Sequence, residues 1–298
     1  MNRLWRSAVT RSGHVSATTL MVCLTSAVAI GVPRDGHAQG YRVVKGLSFS
    51  QADPSLTLDL YLPKATSAQP CVIVIQGGGF RPQNGQRFRP IAEHLASRGF
   101  CSALISYRGR PQHHFRETLA DVKDSVRFVR RNGAKYGIDP DRIGAVGRSA
   151  GGTLAALLAV TSDAEDDESR IQAAVGLAGV YDFVSRFSDA DQLELQPDYR
   201  KKIESNGEWI GAAFSPSQAD WREASPIAHV DSEDPPILFC HSKNDSTVPW
   251  IQSAEMHRAM RQAGVSSELK IFETGGHRVA PEGKLPLETM TDFFKRRL

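Results

Sequence analysis

Leu56, Leu58, Leu60 and Leu62 alternate with polar positions, the period-two pattern of a strand with one buried face. The pattern then changes to the unbroken apolar run Cys71-Val72-Ile73-Val74-Ile75, which suits a strand covered on both faces. Further strand-like runs fall near 42–49, 100–106, 142–147, 171–178, 236–240 and 268–273. Helical runs separate them at about 86–98, 115–135, 150–161, 250–263 and 286–297. In the second of these, Leu119, Val122, Val126 and Val129 recur at helical spacing and mark a core-facing stripe. Strands alternating with helices predict an α/β fold, a doubly wound and mostly parallel eight-stranded sheet that binds ligands at the C-terminal ends of its strands. The alternation lapses between Tyr181 and Ala228, where Phe183, Phe187, Trp209, Phe214 and Trp221 stand among many polar residues. This insert, about 181–228, is expected to form a small lid or acyl pocket, with a static structural insert as the alternative.

The N-terminal pattern differs from the rest. Arg3, Arg6 and Arg11 make a positive start, Thr19 to Val32 supply an apolar core, and Gly36-His37-Ala38 supplies small residues for cleavage. Residues 1–38 are therefore expected to be a secretory signal peptide cleaved after Ala38, leaving 39–298 as one domain that is secreted or periplasmic. The apolar run is too short and interrupted for a stable membrane anchor. The whole chain holds 36 basic and 33 acidic residues; removing the four arginines and one aspartate of 1–38 leaves 32 of each. With no net charge and no basic stripe interleaved with aromatics, nucleic acid is not an expected partner. Three cysteines remain, Cys71, Cys101 and Cys240, each in or beside an apolar strand. Their odd number and wide spacing argue for buried free thiols, against a disulfide framework or a metal site.

One short segment carries chemistry. The apolar run Arg142-Ile143-Gly144-Ala145-Val146 leads into Gly147-Arg148-Ser149-Ala150-Gly151-Gly152, and the helical run from Thr153 follows at once. A serine caught between a strand and a helix sits on a sharp turn, flanked by glycines because side chains there would collide. Its hydroxyl is then exposed above the sheet at a positive helix N-terminus, so Ser149 is the candidate nucleophile.

A serine hydroxyl needs a histidine base, and the histidine needs a carboxylate to fix its tautomer. On such a sheet the chain order is serine, acid, histidine. Asp245 lies in the polar turn after the run Pro236–Cys240, and His277 follows the last strand in Thr274-Gly275-Gly276-His277. These are the expected acid and base. Of the nine histidines, His241 is the competitor; it comes too early in the order and is expected to brace the acid turn. The third strand runs into Gln76-Gly77-Gly78-Gly79-Phe80, so the N–H groups of Gly78, Gly79 and Ala150 are the candidate oxyanion donors. No lysine-serine pair follows these glycines, which sets them apart from a phosphate-binding loop.

These residues resemble the α/β-hydrolase superfamily, and within it the bacterial esterases of the hormone-sensitive-lipase-like and feruloyl or acetyl-xylan esterase-like groups. The resemblance runs from about Leu56 to the C-terminus. It includes Gly77-Gly78-Gly79-Phe80, Ser106-Tyr107-Arg108, Tyr136-Gly137-Ile138-Asp139-Pro140 and Gly147-Arg148-Ser149-Ala150-Gly151. It continues through Ser225-Pro226, Asp245 with Val248-Pro249, and Gly276-His277. It implies a serine carboxylic ester hydrolase without cofactor or metal, working on a small-molecule or carbohydrate ester. One departure stands out: Gln76 occupies the place where these esterases usually carry a histidine that orders the glycine loop. Two rival readings share the fold. A prolyl-oligopeptidase-type peptidase has the same triad order but usually a large N-terminal propeller; a non-catalytic binding protein has no need to keep all three triad residues.

The acidic run Asp163–Glu168 lacks the glycine turn and alternating ligands of a calcium loop and reads as a solvated surface. Adjacent His113 and His114 have no evident third metal ligand and are expected near the active-site rim.

Overall fold

The computed structural model describes residues 40–82, 85–162 and 168–298. The expected leader and nearly all of the acidic run lie outside them. Eight strands form one sheet: β1 (Tyr41–Ser48), β2 (Thr57–Pro63), β3 (Gln69–Ile75), β4 (Cys101–Ile105), β5 (Ile138–Arg148), β6 (Ala173–Leu177), β7 (Ile237–Ser242) and β8 (Ser267–Phe272). Their spatial order is β1-β2-β4-β3-β5-β6-β7-β8. The pairs β1/β2 and β2/β4 are antiparallel, and every other neighbouring pair is parallel.

The pleat sorts each strand between two cores. Cys71, Ile73 and Ile75 of β3 face one layer together with Val122, Val126, Leu154 and Met256. Val72 and Val74 face the other, with Ile91, Leu95, Phe293 and Phe294. Burial on both sides is why β3 reads as a continuous apolar run. The first layer is built from α2 (Phe115–Tyr136), α3 (Ala150–Val160) and α8 (Ile251–Gln262); the second from α1 (Arg89–Ser97) and α9 (Leu287–Arg297).

Two boundaries differ from the sequence pattern by three residues or more. Helix α1 begins at Arg89, not near residue 86, with Pro90 in its first turn, where a missing N–H costs no hydrogen bond. Strand β5 begins at Ile138, because Ile138 pairs with Gln69 before the main β3 register resumes at Cys71–Ile143.

The insert is helical: α4 (Phe183–Ser188), α5 (Ala190–Glu194), α6 (Tyr199–Ile210) and α7 (Ala219–Glu223). Phe183, Trp209 and Trp221 are fully buried and belong to the main core. Cys71, Cys101 and Cys240 are free and buried, and burial pushes the thiols of Cys101 and Cys240 up to about 12. Among the described residues no helix is long and apolar enough to cross a membrane.

Candidate active site

Strand β5 ends at Arg148 and α3 begins at Ala150, leaving Ser149 alone between them at φ 58° and ψ −126°. A non-glycine residue at positive φ is strained, and the surroundings must hold it there. The Ser149 N–H donates to the Leu177 carbonyl at the end of β6, 2.8 Å away. The flanking glycines are required by space. A Cβ on Gly147 would lie 2.1 Å from the Gly151 carbonyl oxygen, and one on Gly151 would lie 2.1 Å from that of Ile75. Helix α3 therefore rests directly on the sheet, buried along its whole length, with its N-terminus behind Ser149.

Residues separated by 128 and 32 positions meet at this serine. His277 Nε2 lies 2.9 Å from Ser149 Oγ, and His277 Nδ1 lies 2.7 Å from Asp245 Oδ2. The carboxylate accepts the Nδ1–H, which leaves Nε2 free to accept the serine proton. His277 stands in a short 3₁₀ turn, Gly276–Arg278, with its side chain one-quarter exposed. The structure thus brings together the three residues whose chemistry the sequence singled out.

The acid turn is held from several sides. Asp245 Oδ1 accepts from the backbone N–H groups of Thr247 and Val248 at 2.8 and 3.1 Å. His241 is fully buried beneath, with Nδ1 2.7 Å from Ser253 Oγ and Nε2 3.0 Å from the Val248 carbonyl. A carbonyl can only accept, so Nε2 carries the proton and Nδ1 accepts from Ser253. The same Nε2 is 3.2 Å from Asp245 Oδ2. Burial pushes the Asp245 carboxyl up, but hydrogen bonds from His241 and His277 outweigh it and hold the group well below the usual carboxylate range. His241 does not reach Ser149; it braces the acid. Asn244 links the acid turn to the histidine loop, its Oδ1 accepting from the Gly276 N–H at 2.8 Å.

On the other side of the serine, the chain leaves β3 through Gln76 and Gly77. A Cβ on Gly77 would lie 2.2 Å from the Arg148 carbonyl oxygen, so this loop touches the serine turn. Gly78 and Gly79 follow, exposed, at φ 142° and 63°. Ala150 is the first residue of α3, where helix N–H groups have no intrahelical partner. Gln76 occupies its unusual place by accepting the Gly85 N–H on Oε1 at 2.7 Å, while its carbonyl accepts from the Tyr107 hydroxyl at 2.9 Å. An amide thus orders the glycine loop by hydrogen bonding to its far end.

Three arginines were not anticipated. The Arg148 guanidinium donates to the His277 carbonyl at 3.0 Å and ties the serine turn to the histidine loop. Arg186 of α4 is buried and donates to the Thr247 carbonyl at 2.7 Å; burial pulls its guanidinium down to about 9. Arg110 donates to the Gly79 carbonyl at 2.6 Å. Their signal in the sequence is weak, because each partner lies at least 31 positions away.

His113 pairs with Glu117, and His114 caps α2 while its Nδ1 lies 3.0 Å from the Glu208 carbonyl. Among the described residues no group of three or more His, Cys, Asp or Glu side chains is arranged to hold a metal.

Residues 58–260 match the sequence profile of the BD-FAE family, more than half of the chain. The chain belongs to the BD-FAE family. The "Probable carboxylic ester hydrolase LipM" of Mycobacterium tuberculosis is 31% identical over 205 residues, which cover 66% of this chain and 46% of that protein. The chain spans about half the length of the mycobacterial and plant relatives that it matches. Among solved structures it is similar to a truncated carbohydrate esterase from gut microbiota. That similarity has a TM-score of 0.75 at 28% identity and covers 87% of this chain and 97% of the other. It is also similar to an acetyl ester-xyloside bifunctional hydrolase from Caldicellulosiruptor lactoaceticus, with a TM-score of 0.67, 27% identity, and 83% and 90% covered. The eight-stranded, mostly parallel sheet of this BD-FAE member is the α/β-hydrolase arrangement of those esterases.

Proposed function

We propose that this protein is a serine carboxylic ester hydrolase acting through an acyl-enzyme on short-acyl or carbohydrate-linked esters, outside the cytoplasm. The observation that carries the proposal is the hydrogen-bond chain Ser149 Oγ to His277 Nε2, then His277 Nδ1 to Asp245 Oδ2. His277 removes the serine proton as Ser149 Oγ bonds to the ester carbonyl carbon. The carbonyl oxygen becomes an oxyanion, held by the N–H groups of Gly78, Gly79 and Ala150. The tetrahedral intermediate collapses, the C–O bond to the alcohol breaks, and His277 gives its proton to the departing alkoxide. Water then repeats the sequence on the acyl-enzyme, releasing the acid and restoring Ser149. Asp245, held as an anion, stabilises the imidazolium in both steps.

The substrate class is supported by the esterase names of the relatives and by the carbohydrate esterase among the solved structures. The extracytoplasmic setting is supported by the arginine start, apolar core and small residues of 1–38. The test is hydrolysis of p-nitrophenyl acetate, butyrate and octanoate beside acetylated xylan, a feruloyl ester and a peptide anilide, each with wild-type protein and Ser149→Ala. Ester turnover that Ser149→Ala loses by roughly 10⁶ in kcat is expected. Cleavage of the anilide alone favours a peptidase, and ester turnover within tenfold of wild type in Ser149→Ala removes Ser149 as nucleophile.

A further inference from the structure

Two of the three oxyanion donors belong to consecutive glycines of a loop. Gly78 and Gly79 are exposed, and no side chain of their own restricts them. Stabilising an oxyanion requires donors already fixed about 2.7–3.1 Å from where the charge will form. Something must hold this loop, and the insert supplies it.

Arg110 is the link. Its Nε donates to the Gly79 carbonyl at 2.6 Å, and its backbone N–H donates to the Phe80 carbonyl at 3.0 Å. The other arm of the guanidinium meets Glu208 Oε2 of α6 at 2.5 Å. The Arg110 side chain is 7% exposed, that of Glu208 52%. The next residue of α6, Trp209, stacks on Phe80 with ring centroids 3.7 Å apart and planes inclined by 12°. Trp209 is itself anchored, its Nε1–H donating to Thr118 Oγ1 at 3.1 Å. The two loops touch along their backbones as well, since a Cβ on Gly109 would lie 2.0 Å from the Phe80 carbonyl oxygen. Two consecutive residues of α6 thus grip the loop just past its glycines, one through charge and one through a stacked ring.

We propose that Arg110 and Glu208 are positioning residues of the oxyanion hole, and that the insert acts through them as its brace. The inference rests on Ser149 being the nucleophile of an ester hydrolase. A guanidinium suits the task because its planar fork serves two acceptors at once, which an ammonium on a flexible stem does not do in fixed geometry. With β3 rigid before Gly77 and the Gly79 carbonyl pinned after it, the N–H groups of Gly78 and Gly79 lie between two fixed ends. Neither Arg110 nor Glu208 touches the reacting atoms.

The test compares p-nitrophenyl acetate with its thionoester, in which sulfur replaces the carbonyl oxygen and accepts hydrogen bonds poorly. An enzyme that relies on an oxyanion hole favours the oxoester, and damage to the hole falls selectively on that substrate. Arg110→Met is expected to lower oxoester kcat roughly 10- to 100-fold with KM within about threefold, less than deleting a donor outright. The oxoester-to-thionoester rate ratio falls by about fivefold or more, and Arg110→Lys is intermediate. Glu208→Gln, at a half-exposed side chain, moves the ratio in the same direction by about twofold to threefold, and decides the matter if Arg110→Met does not fold. An unchanged ratio in Glu208→Gln, and in Arg110→Met where it folds, overturns the proposal. Retained activity in Ser149→Ala would instead overturn the function on which it rests.

Discussion

His241 and His277 converge on one oxygen of Asp245: His277 Nδ1 lies 2.7 Å from Oδ2, and His241 Nε2 lies 3.2 Å from the same atom. One histidine faces the serine and the other is sealed below, bonded to Ser253 and Val248. The buried histidine helps to keep the acid ionised, since its hydrogen bond is among the causes that lower the Asp245 carboxyl against the penalty of burial. His241→Ala is therefore expected to reduce kcat roughly 10- to 100-fold, far less than loss of His277, with little change in KM. Loss as large as that of His277→Ala would mean that His241 has a direct chemical role.

The same relationship sets a pH dependence of stability. A carboxyl whose folded value lies below its unfolded value, about 3.9, stabilises the fold fully above that value and loses the contribution as pH falls below it. His241→Ala removes one of the two hydrogen bonds that depress Asp245. The melting temperatures of wild type and variant should differ most near neutral pH and draw together below about pH 4. A gap that widens on acidification would contradict this assignment, and thermal melts across that range check it.

Ser149, Asp245 and His277 form one connected unit, so their losses should not add. Asp245→Asn is expected to cost roughly 10⁴ in kcat by allowing the wrong histidine tautomer. Combined with Ser149→Ala, it should cost almost nothing further. Single-turnover and steady-state rates of the two single variants and the double variant settle this; additive losses would show that the residues act separately.

These three residues were legible in the sequence because each follows the C-terminal end of a strand, where only turn residues and glycines compete for attention. The two-sided burial of β3 and the alternation of β2 were equally plain in their apolar spacing, although β2 also buries Tyr61 in the second layer. The supports of the site were not. Arg110 meets Glu208 across 98 positions, and that pairing depends on how α6 folds back over the glycine loop. The insert hid its own helices too. Helices α5 and α7 have five residues each and α4 has six, too short for a 3.6-residue period to emerge. In α6 only Trp209 and Ile210 are fully covered apolar residues; Tyr199 and Ile203 pack on the core while partly exposed, and the polar Asn206 interrupts the stripe. The spacing within the insert therefore showed no helices, although its aromatic residues belong to the core.

Contact between the glycine loop and the serine turn gives a backbone prediction. A Cβ at residue 77 would lie 2.2 Å from the Arg148 carbonyl oxygen and 3.2 Å from Ser149 Cβ. Neither backbone can yield without moving the proposed oxyanion donors or the proposed nucleophile. Gly77→Ala should destabilise the protein by about 1–3 kcal/mol, as overpacking does, while lowering kcat roughly 100-fold. A variant with the stability loss but full activity would show that the loop tolerates displacement.

The expected leader gives a prediction about processing. Export by a bacterial host should yield a chain beginning at Gln39, because Gly36 and Ala38 supply the small residues before the cut. N-terminal sequencing of the exported protein is the check. An intact Met1 in the membrane fraction would show instead that the apolar run is kept as an anchor.

Acyl-chain preference follows from where the insert keeps its apolar surface. A cover that opens onto an oil droplet must present large apolar side chains to solvent when displaced. Here Phe183, Trp209 and Trp221 are fully buried, and Phe80, next to Gly79, stacks on Trp209. Swinging the insert away would break that stack together with the Arg110–Glu208 ion pair, loosening the loop that the reaction needs fixed. An enzyme built in this way gains nothing at an oil surface. Acetate and butyrate esters should therefore turn over faster than octanoate, with no increase in rate when a substrate passes its solubility limit and forms an interface. Faster hydrolysis of emulsified long-chain triglyceride than of soluble acetate or butyrate esters would show that the insert does move, and that the brace yields without loss of catalysis.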